Sequence, residues 1–113
     1  MIQHSLQAAL ELSKQGRFSK EKVVEKMCHH PARLFGIKER GYIREGFFAD
    51  LTIVNPETRH TVDKKNILYK CGWSPMEGET FSTRPEYVFV NGKLLYENGK
   101  FSNKGQGMAL EFN

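Results

Sequence analysis

Cysteine is scarce. Cys28 and Cys71 are the two in 113 residues, too few for a disulfide framework. The opening Met1-Ile2-Gln3-His4-Ser5 lacks the basic start and apolar stretch of a signal peptide. Both thiols are therefore read as reduced, in a cytoplasmic protein. No apolar run approaches the ~20 residues that cross a bilayer, so no membrane partner is expected. Internal repeats and low-complexity segments are missing as well. Nor is one sign of charge dominant: 17 basic residues face 13 acidic ones, for a net +4. A basic balance invites a nucleic-acid reading. Here the cations are scattered among acids, as in Lys38-Glu39-Arg40 and Arg44-Glu45, which favours a solvated mixed surface and no nucleic-acid partner.

What is present fits one modest domain. A chain of this length buries roughly 65 % of its unfolded surface, and 39 % hydrophobic with 27 % charged residues is ordinary for a globular fold. The first third reads as helical. Ile2, Leu6, Ala9, Leu10 and Ser13 recur at the spacing of one helix face, and Gly16 follows as a stop. Ser19 is placed as the N-cap of a second helix, with Glu21 in its first turn and Phe18 and Val23 spaced as a hydrophobic staple. Val23, Val24, Met27 and Cys28 form its apolar stripe. Pro31 is expected to interrupt this helix, with one more turn over 32–35 before Gly36.

After Gly36 the period changes. Tyr42-Ile43-Arg44-Glu45, between Gly41 and Gly46, is expected to be extended. Leu51-Thr52-Ile53-Val54 is a strand rich in β-branched residues, closed by Asn55-Pro56. Asp63 is placed as the cap of a short helical turn through Ile67-Leu68-Tyr69, and 70–85 as an irregular loop. Residues 87–96 give the clearest signal: two strands joined by Asn91-Gly92, the pair that a type I′ hairpin turn needs. Asn98-Gly99 suggests a second turn into Lys100-Phe101. Met108, Leu110 and Phe112 alternate in the tail, as a last strand or a loose end.

A complete set of reactive groups is missing. The histidines are His4, His29, His30 and His60. Cys28-His29-His30 offers zinc-type donors, but consecutive helical residues point about 100° apart and do not converge on one ion. There is no His-x-His, HExxH or CxxC pattern and no Gly-x-Ser-x-Gly elbow. Cys28 lies on the apolar stripe and is expected in the core. Cys71 lies in a loop beside Gly72 and Trp73, with no activating neighbour in view. Gly105-Gln106-Gly107 lacks the rest of a dinucleotide fingerprint and reads as tail. Trp73 and the Phe and Tyr residues could stack on bases but are more simply anchors. Asp50 precedes a strand. It suits a general base or a turn cap that accepts backbone N–H groups, and with no partner base, metal or nucleophile in view the structural role is expected.

Three stretches together resemble a known pattern. His30-Pro31-Ala32-Arg33-Leu34-Phe35-Gly36-Ile37, then Gly41-Tyr42-Ile43, then Gly46-Phe47-Phe48-Ala49-Asp50-Leu51-Thr52-Ile53-Val54 resemble the C-terminal signature of the amidohydrolase superfamily, roughly N-P-A-x-x-x-G followed by G-x-I-x-x-G-x-x-A-D-L. Within it, Ile2-Gln3-His4-Ser5-Leu6, residues 68–78 and residues 88–101 are similar to dihydroorotase segments. The likeness covers nearly the whole chain. His30 departs from it, standing where Asn is usual.

The resemblance implies a parent of several hundred residues with a (β/α)8 barrel and one or two zinc ions at the C-terminal ends of its strands. Its reaction is the reversible closure of N-carbamoyl-aspartate to dihydroorotate in pyrimidine biosynthesis, with zinc activating water against the ring carbonyl and an aspartate moving the proton. None of the family's ligands or catalytic residues can be placed on this sequence: catalytic residues none, metal ligands none, cofactor none in this piece. The chain is thus read as a C-terminal fragment with Met1 an internal residue, inactive alone. The implied fold is an α+β fragment: C-terminal barrel helices over 1–40, antiparallel strands of the small β-sandwich over 41–101 with the 87–96 hairpin, and a tail over 102–113. Met1, Ile2 and Gln3 would be the substrate rim. Allantoinase and hydantoinase parents share the Ala-Asp strand and the hairpin, and a catalytically dead parent would look the same here. A free-standing binding module built from an amidohydrolase tail is the alternative from another class. Leu6 and Leu10 would lack the barrel they cover, and the strands would lack neighbours. The expected partners are therefore the missing N-terminal part of its own chain and other copies of the fragment.

Overall fold

The computed structural model describes residues 2–102, 105 and 107–113. They form two compact units, one of residues Met1–Lys20 and Asn55–Arg84, the other of Glu21–Val54 and Pro85–Asn113. Each unit joins two separated stretches of the chain.

In the first unit a 3-10 turn (Ile2–His4) leads into α1 (Ser5–Lys14), which ends before Gly16. The helix is where the sequence puts it, and a second, polar face is the one buried within this chain. The spacing pointed to Ile2, Leu6, Ala9, Leu10 and Ser13. Instead Ile2 is 90 % exposed, while His4 and Gln7 are the buried residues, at 0 % and 5 %. The polar stripe His4, Gln7, Glu11 faces the segment that follows residue 60, which offers hydroxyls and carbonyls alongside apolar side chains. Gln7 Nε2 donates to the Thr83 carbonyl at 3.2 Å, and Glu11 Oε2 accepts both the Ser82 N–H and its hydroxyl at 2.9 and 2.8 Å. Strands β2 (His60–Thr61) and β3 (Thr80–Phe81) pair antiparallel, and Val62 and Phe81 bury beside this polar set. The region 70–85 is thus not all loop, since β3 lies within it. Asp63 caps a turn rather than a helix: its Oδ1 accepts the N–H groups of Lys65 and Asn66 at 2.8 and 3.2 Å, and 67–69 are not helical.

The second unit opens with α2 (Lys20–Val24), a π turn (Glu25–His29) and α3 (His30–Leu34). Pro31 does not interrupt this run. It sits at the first turn of α3, where a missing N–H is harmless, and the wider π turn before it absorbs the change in hydrogen bonding. Cys28, expected in the core, is exposed; the buried side chains of this run are Val23 and Ala32. Residues 42–45 are irregular rather than extended. A turn bond from the Phe47 N–H to the Arg44 carbonyl, 3.1 Å long, folds them back. The main sheet runs in the order β1 (Leu51–Asn55), β4 (Arg84–Val90), β5 (Lys93–Glu97), β6 (Lys100–Phe101). Asn91 and Gly92, with φ of 50° and 76°, make the hairpin turn. The pairing slips by one residue after Val88, leaving Leu95 as the extra residue of a bulge. The end of the tail meets the segment after α3 through an antiparallel bridge between Ile37 and Phe112.

Candidate functional site

The residues expected at a substrate rim fall in three ways. Met1 lies outside the described residues, as does Gln106 of the Gly105-Gln106-Gly107 stretch. Ile2 is exposed. Gln3 is held by three bonds to the segment 66–69: its N–H donates to Tyr69 Oη at 3.0 Å, its Nε2 to the Asn66 carbonyl at 2.7 Å, and its Oε1 accepts the Leu68 N–H at 2.9 Å. Both ends of its amide are used within the fold.

His4, beside it, is the residue that sequence reasoning undervalued. Its ring lies 6.1 Å from that of Tyr69, edge on, and 6.2 Å from that of Phe81. Ser74 Oγ accepts the Met76 N–H at 3.2 Å and stands 3.4 Å from His4 Nδ1. The serine oxygen has two lone pairs, so it can donate to Nδ1 or accept from it, and the ring's tautomer sets the direction. Among the described residues Nε2 and the Thr83 hydroxyl have no hydrogen-bond partner. Burial holds His4 below its ordinary pKa of 6.5, and His60 adds to the effect. Burial does the same to His60, aided by Arg84 and opposed by Asp63. A serine beside a histidine has the outline of a nucleophile and its base. Ser74 is only 4 % exposed, so the pair acts inside the fold rather than on a substrate. The signal for it was present as His4, Gln7 and Glu11, spaced i, i+3, i+7 opposite the apolar stripe.

The other histidines separate. His29 stacks on Tyr42 with centroids 4.3 Å apart, and His30 Nε2 pairs with Glu25 Oε1 at 2.7 Å. Among the described residues no three His, Cys, Asp or Glu side chains come together. The zinc implied by the resemblance finds no donor set among the described residues.

Asp50 performs the structural task the sequence suggested. Its Oδ1 accepts the Asn91 N–H at 2.8 Å, and its Oδ2 pairs with Arg40 Nη1. Arg40 Nη2 in turn donates to Asn91 Oδ1 at 2.8 Å, and its guanidinium lies 4.0 Å from the centre of the Phe48 ring. The Gly92 N–H reaches the Ala49 carbonyl at 3.0 Å. The Ala49-Asp50 pair at the mouth of β1 thus clamps the hairpin turn. Arg40 was not singled out in the sequence, because no local pattern announces a partner 51 residues away.

Comparison with known proteins gives the chain a family. The sequence profile of the amidohydrolase family matches residues 1–95. The chain belongs to the amidohydrolase family. Among curated amidohydrolase relatives it is 34 % identical over 89 residues to a dihydroorotase of Archaeoglobus fulgidus, a match covering 79 % of this chain and 22 % of the relative. It is 35 % identical over 97 residues to a dihydroorotase of Sulfurihydrogenibium sp., covering 86 % and 23 %. Among solved amidohydrolase structures it is similar to a D-hydantoinase (dihydropyrimidinase) from Thermus sp., with 26 % identity, a TM-score of 0.77, and coverage of 91 % of this chain and 23 % of that one. The chain spans about a fifth of the length of the curated relatives it matches. The helices and antiparallel strands are those of amidohydrolases. Among the described residues no helix is long and apolar enough to cross a membrane.

Proposed function

We propose that this amidohydrolase chain is the C-terminal portion of a dihydroorotase, an enzyme that interconverts N-carbamoyl-aspartate and dihydroorotate in the cytoplasm. The observation that carries the reading is the pair of coverages: four-fifths of this chain matches dihydroorotases, yet accounts for about a fifth of them. Residues 1–40 are then barrel-cladding helices, 41–101 belong to the small β-sandwich, and 102–113 are a tail. Zinc and the reacting groups reside in the rest of the parent, and the chain alone is inactive. Its contribution is mechanical. The Asp50 clamp fixes the sandwich strands, and α1, with Leu6 and Leu10 on the face away from its polar seam, supports the barrel wall. Ile2 and Gln3 reach no further than the rim, through backbone groups.

A hydantoinase parent is the second reading, favoured by the solved structures this chain resembles. One experiment separates the two. The coding frame upstream of Met1 is read, and the whole product is assayed with dihydroorotate, hydantoin and allantoin. The proposal expects an in-frame His-x-His segment and turnover of dihydroorotate. Preferential turnover of hydantoin supports the second reading, and a frame that opens at Met1 with nothing before it contradicts both.

A further inference from the structure

The second unit contains an open cleft of about 800 Å³, within the range of small-molecule sites, that shares only Arg40 with the clamp. Its charged lining is unbalanced: Arg33, Lys38, Arg40 and Arg44 stand against Glu39 and the α-carboxylate of Asn113. These cations are not equally committed. Arg40 is paired with Asp50. Lys38 reaches Glu111 only at 4.0 Å, and Glu111 is largely in solvent. Among the described residues no carboxylate lies within ion-pair distance of Arg33 or Arg44.

Arg44 is also preorganised. Its guanidinium lies 4.6 Å from the centre of the Tyr42 ring and 5.8 Å from that of Phe47, while His29 stacks on Tyr42 at 4.3 Å. Ring contacts of this kind hold a guanidinium by its face and leave the in-plane N–H donors available. Gly36, Glu39 and Gly41 all have positive φ, which curls the backbone between α3 and residue 42 around the cleft. Asn113 borders it through a backbone N–H that donates to the Gly36 carbonyl at 2.8 Å. We infer that this cleft is a binding site for a small multivalent phosphate, gripped by Arg33 and Arg44 with Lys38 adding charge. A multivalent anion answers several cations at once, and the guanidinium fork fits phosphate oxygens two at a time.

The test is calorimetric titration of the full 113-residue chain with inorganic pyrophosphate at physiological salt. Saturable one-site binding is expected, weakened about tenfold by Arg44→Gln and clearly by Arg33→Gln. Arg44→Lys should fall between, because it keeps the charge and loses the fork. Arg59→Gln, a cation of the other unit, should bind like the parent chain. Thermal melts of each variant separate loss of binding from loss of folding. Nuclear magnetic resonance adds a readout independent of any variant: the Arg44 Nε signal should move on titration. The inference is overturned by non-saturable binding, by an equal loss in Arg59→Gln, or by citrate binding as tightly as pyrophosphate. It is likewise overturned by an oligonucleotide that binds and that pyrophosphate does not displace.

Discussion

The Asp50 carboxylate accepts the backbone N–H of Asn91 at 2.8 Å, tying the entry of β1 to a turn 41 residues later. That bond orders a hairpin which local chemistry already favours, since both turn residues adopt positive φ. Asp50→Ala removes the acceptor, leaves the Arg40 guanidinium, which is largely buried, without its carboxylate, and should cost about 2 kcal/mol. Urea denaturation followed by circular dichroism checks this, as a lower midpoint with unchanged slope. Asp50→Asn should lose less, because the amide oxygen still accepts the Asn91 N–H.

Two glycines with nearly equal φ should respond differently to alanine. At Gly41 (φ 81°) a Cβ would lie 2.5 Å from the Ala32 Cβ and 2.8 Å from the Cys28 carbonyl oxygen, whereas at Gly46 (φ 83°) nothing lies within 4 Å. Gly46→Ala pays only the backbone preference, roughly 1 kcal/mol. Gly41→Ala adds a clash with backbone and a buried methyl group, so roughly 3 kcal/mol is expected. Thermal melts of the two variants side by side measure the difference.

The contrast shows what a sequence displays and what it hides. Gly41 and Gly46 could be seen bracketing an irregular stretch, but only the fold reveals that one presses on α3. The Asn91-Gly92 turn, the Leu51–Val54 strand and the extent of α1 were legible because each is set by residues adjacent in the chain. The buried face of α1 was not. Its partners are the Ser82 N–H and hydroxyl and the Thr83 carbonyl, more than 70 residues away, and apolar periodicity favoured Leu6 and Leu10. Pro31 misled for a related reason, since proline breaks a helix only where its N–H is needed. For the site, Asp50 was legible as a cap, and its partner Arg40 was not.

Acid should weaken the first unit in two stages. His4 and His60 have folded pKa values below 6.5 through burial. The unfolded chain therefore takes up those protons first, so stability is complete above 6.5 and falls as pH drops below it. Glu11 is held below its ordinary 4.5 by the Ser82 N–H and hydroxyl. Its contribution is present above 4.5 and is lost as pH falls through the lower folded value. Stability measured by urea titration from pH 8 to 3 should decline over both windows. His4→Gln should flatten the upper one and Glu11→Gln the lower. A profile unchanged in both variants would contradict these assignments.

Exposed apolar side chains make association of the isolated chain the expected behaviour. Leu34, Phe35 and Ile43 are each more than half exposed, and among the described residues β1 ends the main sheet with one edge unpaired. Light scattering on a concentration series should show mass rising above 13.0 kDa. A monomer at every concentration would count against this.

The most direct test of the account is a zinc determination and dihydroorotate assay on the purified 113-residue chain by itself. The account predicts zinc far below stoichiometric and no turnover above the buffer blank, because the proposed function assigns the reacting groups to the rest of the parent. One tightly held zinc per chain, together with sustained turnover, would contradict it.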